Sequence, residues 1–394
     1  MLQITNWMRA AVFVSLLVSL PAFVTAAPTI NPAKDKDFLG SDENVLFWTP
    51  EQQVAGYRNW NKIFYTREIP AGDYILPLPE KLKALDLIEY EFNGSQQTVS
   101  RYFTEESVAG LLVIKDGDIV FERYGLGNSE ETRWISFSVA KSVTSLLVGA
   151  AIKDGYIKSV DEKVTDYLPR LKGSAYDQST LRNILQMSSG VEWNEDYADP
   201  EADINQMPWD ALGLYQYLRH KPRVAEPGTR FNYNSAETNL VGTLLRSAIG
   251  NNLSTYLSEK IWKPFGMQAA ANWEIGSPGG GETSGSSINA TLRDYGRIGL
   301  FALSKGTLPD GTHVLPDHWI EDSTKASKGY GGYGYLWWLG GDRYFSARGI
   351  FGQGIYIYPD KNIVIAINSA QATASSRENI GKQKALMNAL ANAL

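Results

Sequence analysis

Residues 110–121 read GLLVIKDGDIVF and residues 138–153 read SVAKSVTSLLVGAAIK, and these two stretches decide the architecture. In the first, Leu111 to Ile114 and Ile119 to Phe121 are apolar runs of strand length, separated by Lys115-Asp116-Gly117-Asp118. An Asp-Gly pair between such runs signals a tight hairpin, because both turn positions need a positive φ that Asp and Gly tolerate. In the second, Val139, Val143, Leu146, Leu147 and Ala150 recur at helical spacing, and Asp154-Gly155 stops the pattern.

Strand patterns return beyond residue 330, at Tyr333–Leu339, Arg343–Phe351, Ile355–Tyr358 and Ile363–Asn368, and Glu378–Leu394 closes as a helix. Between them, residues 155–310 read as mainly helical, with loops at 188–208 and 273–287. Strand-rich segments at both ends of a chain pair most simply into one sheet. The expected fold is therefore α+β, an α/β sandwich: an antiparallel sheet flanked by helices and formed from both chain ends, with an inserted all-helical domain. The expected boundaries are 1–26 for a leader and 27–105 for an irregular N-terminal wrap. The sheet domain with its helix takes 106–154 and 311–394, and the helical domain takes 155–310. An insertion of this kind creates a cleft, where ligand sites are common.

Composition narrows the chemistry. Hydrophobic residues make up 43% of the 394, enough for a large core, which excludes disorder over most of the chain. Lys and Arg number 37 against 43 Asp and Glu, without a basic cluster, so nucleic acid is not an expected partner. Cysteine is absent, which removes thiolate nucleophiles, disulfides and Cys-ligated metals together. The three histidines, His220, His313 and His318, have no metal-ligand spacing. No cofactor and no metal are expected.

Residues 1–26 read as a secretory signal peptide. Arg9 is the only charge, an apolar run from Ala10 to Val24 follows, and Val24 and Ala26 occupy the -3 and -1 positions of a cleavage site. The run is too short for an ordinary membrane-spanning helix. A periplasmic or secreted location is expected, without stable membrane insertion after cleavage; an uncleaved anchor is the alternative.

Without Cys and nearly without His, a hydrolase must use Ser, Thr, Tyr, Lys or carboxylates. Ser138-Val139-Ala140-Lys141 is the one S-x-x-K, at the expected start of the helix. Three residues apart, Ser138 and Lys141 share a helical face, continued by Ser142 and Ser145. A helix N-terminus favours developing negative charge, and a partly buried lysine gives up its proton more easily. Such a lysine can activate the hydroxyl as a base. The competing reading is an N-cap serine beside a solvated lysine. A second candidate is Tyr233, in Phe231-Asn232-Tyr233-Asn234-Ser235, which could carry a proton if an ammonium stabilised its phenolate, or could be a core-edge aromatic. A third is Ala347-Arg348-Gly349-Ile350, where small residues on a strand let a backbone N–H point at an oxyanion. An ordinary glycine bulge is the simpler reading of that stretch.

These three sites, in this order, resemble the serine β-lactamase and penicillin-binding-protein superfamily. Leu181-Arg182-Asn183-Ile184-Leu185-Gln186-Met187-Ser188-Ser189-Gly190 resembles the LLxHTSG stretch of its class C-like branch, Pro227 to Ser235 resembles PGxxFxYSN, and Pro264-Phe265-Gly266-Met267 resembles PLGM. Ser136 to Ser142, Gly190 to Pro200 and Gly349-x-x-Gly352-Gln353 look most like 6-aminohexanoate-dimer hydrolases and related esterases. The resemblance implies Ser138 as nucleophile, Lys141 as base and Tyr233 as second proton carrier. It implies an oxyanion hole from the backbone N–H groups of Ser138 and Ile350, and Tyr197 on the substrate side.

Two departures matter. Ser235 stands where class C enzymes carry Asn, and Ala347 stands where they carry the lysine that helps bind the β-lactam carboxylate. Arg348 could replace that lysine as an anchor, so Ser235, Arg348 and Gly349 complete the candidate substrate-binding set. The implied activity is cleavage of a small-molecule amide or ester through an acyl-enzyme. A β-lactamase or D-Ala peptidase, and a non-catalytic binder of peptidoglycan or β-lactams, are the alternatives. The acidic loop at 192–210, with Glu195 and Asp210 among its members and no Lys or Arg, could favour ammonium-bearing substrates; a helix-capping loop is the preferred reading.

Overall fold

A computed structural model describes residues 31–40 and 44–394; the expected leader at 1–26 lies outside the described residues. The strands that matter for the site are Thr66–Ile69 (β1), Val108–Lys115 (β2), Asp118–Tyr124 (β3), Arg133–Ile135 (β4), Ala271–Glu274 (β5), Ile288–Thr291 (β6), Trp338–Leu339 (β7), Phe345–Arg348 (β8), Gly354–Tyr358 (β9) and Ile363–Ser369 (β10). The helices are Pro50–Arg58 (α1), Val139–Lys153 (α2), Ala211–Arg219 (α3), Ser235–Ile249 (α4), Leu292–Leu303 (α5) and Arg377–Asn392 (α6).

The main sheet is antiparallel in the order β3-β2-β10-β9-β8-β7, so strands from both chain ends do pair. The β2–β3 turn has φ 53° at Asp116 and 85° at Gly117, the geometry its Asp-Gly sequence favours. Alternation then sorts the sheet's side chains. Leu112, Ile114, Ala347, Ile355 and Val364 face one core, shared with α2 and α5. Leu111, Val113, Tyr356, Ile365 and Ile367 face the other, shared with α6 through Leu386, Met387 and Leu390.

The regular elements between the sheet's two halves are mainly helices joined by long loops, but β5 and β6 among them join β1 and β4 in a second sheet, ordered β1-β5-β6-β4. A segment expected to be all-helical thus carries two short strands. Ala271, Trp273, Ile288 and Ala290 are fully buried, so burial rather than local propensity fixes these four-residue strands. The expected strand at Tyr333–Leu339 shortens to β7, because Leu336 turns with φ 60° and its N–H bonds Leu185 O at 2.9 Å. The rest of that aromatic stretch packs as a cluster: Phe231, Tyr233, Tyr333 and Trp338 have ring centroids 4.9–6.4 Å apart.

The early chain contributes a third core. Trp48, Tyr57 and Trp60, from α1 and its surroundings, pack with Trp134, Phe137 and Phe351. This cluster holds the residue before Ser138, as the site requires. Among the described residues no helix is long and apolar enough to cross a membrane.

Candidate active site

Phe137 has φ 42°, a left-handed conformation that costs a bulky residue energy. Edge-on contacts with Tyr57 at 5.1 Å, Trp60 at 5.8 Å and Phe351 at 5.2 Å hold it there. Just before it, Ser136 ties the loop to β6: its N–H donates to Ile288 O at 2.7 Å and its Oγ accepts from Ile288 N at 2.9 Å. Ser138 then enters the helix with φ -64° and ψ -2°, and its hydroxyl caps nothing. The N-cap reading of this serine fails on that point. The hydroxyl turns instead to Lys141, with Nζ 3.0 Å from Oγ.

Lys141 is 2% exposed, so the solvated-lysine reading fails too. Its Nζ contacts three oxygens: Ser138 Oγ, Ser235 Oγ at 2.9 Å and the Gly285 carbonyl at 2.7 Å. Among the described residues no carboxylate touches it. Burial pushes its pKa down to about 8, against a smaller upward pull from the charge of Glu195. From Val139 to Ala151, α2 is buried around it. Ser142 donates to Leu336 O at 2.7 Å and Thr144 to Ser284 O at 2.8 Å, so the hydroxyls of α2 are covered by other segments.

Glu195 organises the polar floor, and the sequence reading placed it only within an acidic loop. Its carboxylate accepts from the Ser235 N–H at 3.0 Å, the Ser235 hydroxyl, the Tyr197 phenol at 2.9 Å and the Trp193 indole. An ionised carboxylate can only accept. The Ser235 hydroxyl must therefore donate to Glu195 and accept from Lys141. The Gly285 carbonyl also accepts from Lys141. When the amine is neutral, both of its N–H bonds are then used, and its lone pair is left for the Ser138 proton.

Tyr233 closes the site from the start of α4. Its ring lies 5.2 Å from Lys141 Nζ and stacks on Trp338 at 5.5 Å. Burial and the charge of Glu195 raise its pKa well above the usual phenol value, and the Ser138 hydroxyl pulls it partly back. The phenol is thus held protonated at neutral pH, in contrast to the ammonium-stabilised phenolate weighed from sequence.

The third stretch is divided by strand alternation. Ala347 lies opposite Ile355 in the core beneath α2. Arg348 leaves the strand on the opposite side from Ala347: its Nε donates to Ser346 Oγ at 3.0 Å, its guanidinium lies 5.5 Å from the Tyr356 ring and 5.6 Å from the Trp338 ring that stacks on Tyr233, and its charge lowers the pKa of Lys384 on α6. Among the described residues Arg348 makes no hydrogen bond to Ser138, Lys141 or Ser235. At Gly349 a Cβ would stand 2.6 Å from Ser136 O and from Gln353 Oε1. The glycine lets the strand end pack against the Ser138 loop. Gly349 N bonds Gln353 O at 2.8 Å, and the Gln353 side chain accepts from Phe351 N at 3.2 Å. These bonds skip Ile350. Among the described residues neither the Ser138 N–H nor the Ile350 N–H donates to a protein acceptor.

A cavity of about 730 Å³ opens on Ser138, Tyr197, Ser235 and Ile350, with apolar walls that include Ile63, Phe64 and Ile204. Glu274 also lines it, a residue without any sequence signal; its carboxylate accepts from the Trp60 indole at 2.8 Å, and burial raises its pKa to about 7. In the acidic loop, Asp203 pairs with Lys221 and Asp210 caps α3 through Gly213 N at 2.9 Å. Among the described residues no cluster of three or more His, Asp or Glu side chains could hold a metal ion.

The family model described as Beta-lactamase matches residues 96–386. Similar proteins include the 6-aminohexanoate-dimer hydrolase of Paenarthrobacter ureafaciens, 27% identical over 92% of this chain and 97% of that one. A D-aminopeptidase of Brucella anthropi is 27% identical over 41% of this chain and 32% of that one. Among solved structures, a Bacillus anthracis protein provisionally named a 6-aminohexanoate-dimer hydrolase superposes with a TM-score of 0.79, at 23% identity over 90% of this chain and 96% of that one. At that identity the structural likeness speaks for the fold alone.

Proposed function

The chain belongs to the beta-lactamase family of serine hydrolases, and from that premise we propose that it cleaves a small-molecule amide or ester through an acyl-enzyme on Ser138. The observation that carries this reading is the Ser138–Lys141 pair, 3.0 Å apart, with the lysine buried and no carboxylate touching it among the described residues. Neutral Lys141 takes the Ser138 proton as Oγ attacks the carbonyl. The amides of Ser138 and Ile350 receive the oxyanion, which fixed dipoles stabilise without reorganising. The protonated Tyr233 phenol passes a proton to the leaving group and regains one from the Lys141 ammonium. Water then repeats the sequence on the acyl-enzyme. Tyr197 and Ser235 line the substrate side of the cleft.

Likeness over nearly the whole chain favours a substrate of the kind named for the 6-aminohexanoate-dimer hydrolase, a linear amide, or a related ester. The β-lactamase or D-Ala peptidase reading lacks support at the cleft, where Ala347 offers no cation and Arg348 does not line the cavity that opens on Ser138. Ser138→Ala should lower turnover by about 10³-fold or more, and a fluorophosphonate probe should label Ser138 of the wild type. No adduct would favour a non-catalytic binder instead. We also propose export, with cleavage after Ala26; N-terminal sequencing of the mature protein beginning at Ala27 is the expected result, and an intact Met1 would refute it.

A further inference from the structure

A second cavity, of about 840 Å³, adjoins the one that opens on Ser138. The two share Trp209, Asn239 and Gly276 as walls. Asn239 links them chemically too, since its Oδ1 accepts from Gly285 N at 2.9 Å and the Gly285 carbonyl accepts from Lys141. Two arginines line the second chamber. Arg67 is spent on a 2.6 Å ion pair with Glu282 and a 3.0 Å bond to Gly280 O. Arg246, from α4, is half-buried and makes no side-chain hydrogen bond or ion pair among the described residues. The other charge at the chamber, Asp210, is exposed and caps α3. Gly281 makes room for the guanidinium: a Cβ there would stand 2.0 Å from Arg246 Nη1.

A half-buried guanidinium without a protein partner among the described residues, in a chamber that adjoins the cavity on Ser138, suits a carboxylate. We infer that Arg246 binds the terminal carboxylate of a linear substrate whose scissile carbonyl lies at Ser138. This deepens, and rests on, the proposed amide or ester hydrolysis. It makes the enzyme selective for chains ending in an acid over the same chains ending in a neutral group.

Binding to the Ser138→Ala protein tests the site without turnover. N-acetyl-6-aminohexanoate should bind about tenfold or more tightly than its neutral carboxamide, the ratio expected for one charge-assisted contact. Arg246→Gln should abolish that preference and leave carboxamide binding unchanged, while Arg246→Lys should keep part of it. Equal binding of acid and amide, no binding of either, or an equal loss of both in Arg246→Gln would overturn the inference. Fluorophosphonate labelling of Ser138 is read separately in wild type, so failure of the hydrolase reading is distinguishable from failure of the subsite.

Discussion

Arg297 and Lys141 are two buried cations on helices packed against the same face of the main sheet. Arg297, on α5, has the carboxylate of Asp294 at 3.0 Å, in a pair whose side chains are 3% and 0% exposed. Lys141, on α2, has two hydroxyls and a carbonyl. The first arrangement fixes a charge and so fixes structure, with Asp294 also accepting from Gln268 N and Ala269 N. The second gives desolvation no opposing contact, so the proton becomes easy to lose. Partner type, rather than depth of burial, separates the scaffold cation from the reactive one.

The largest expected effect comes from removing the reactive cation. Lys141→Met should lower kcat/KM by about 10³- to 10⁴-fold, measured on any ester or amide the wild type turns over. It should not cost stability in proportion. Between pH about 8 and the ordinary lysine value of 10.5, the unfolded chain keeps a proton that the folded chain has lost, so wild-type stability rises with pH across that window. Thermal melts of Lys141→Met should lack that rise. A rise equal to wild type would show that Lys141 is not the group with the lowered pKa.

Removing the scaffold carboxylate does the opposite. Asp294→Ala leaves Arg297 buried without its partner and should destabilise the fold by about 3–5 kcal/mol, read from urea unfolding. Loss within a few tenths of a kcal/mol would mean that the pair is not the buried contact described.

A subtler change tests the one carboxylate near Lys141. Activity should rise with pH through an apparent pKa near 8 as Lys141 becomes neutral. Glu195→Gln removes a charge that favours the ammonium, so that limb should move to lower pH in the kcat/KM profile. An upward shift would contradict the assignment of base and neighbour. The smallest effect is expected from Arg348→Ala, which should leave KM for a carboxylate-bearing substrate within about twofold, because Arg348 does not line the cavity that opens on Ser138. A large KM increase would restore it as an anchor.

Much of this was legible in sequence, and the reasons are local. The Asp116-Gly117 turn follows from two positive φ values, and the three-residue spacing of Ser138 and Lys141 follows from helical pitch. Tyr233 stood as a candidate that local sequence could not tell from a core-edge aromatic, and only resemblance to a family favoured the proton carrier. Strand period guaranteed that Ala347 and Arg348 point oppositely, but which of them meets the nucleophile depends on which face α2 covers. Glu195 was one acid among seven, and only folding turns it inward to Ser235, 40 residues away.

Sequence alone therefore determined the chemistry's ingredients: a hydroxyl and an amine on one helical turn, in a chain without thiols and with three histidines. The tertiary structure decided what that amine is. Its remaining partners come from 94 and 144 residues along the chain, and the burial that drives its pKa toward 8 comes from segments packed over α2. A proton affinity depends on everything within a few ångströms, and neighbours that close are assembled only when distant segments meet.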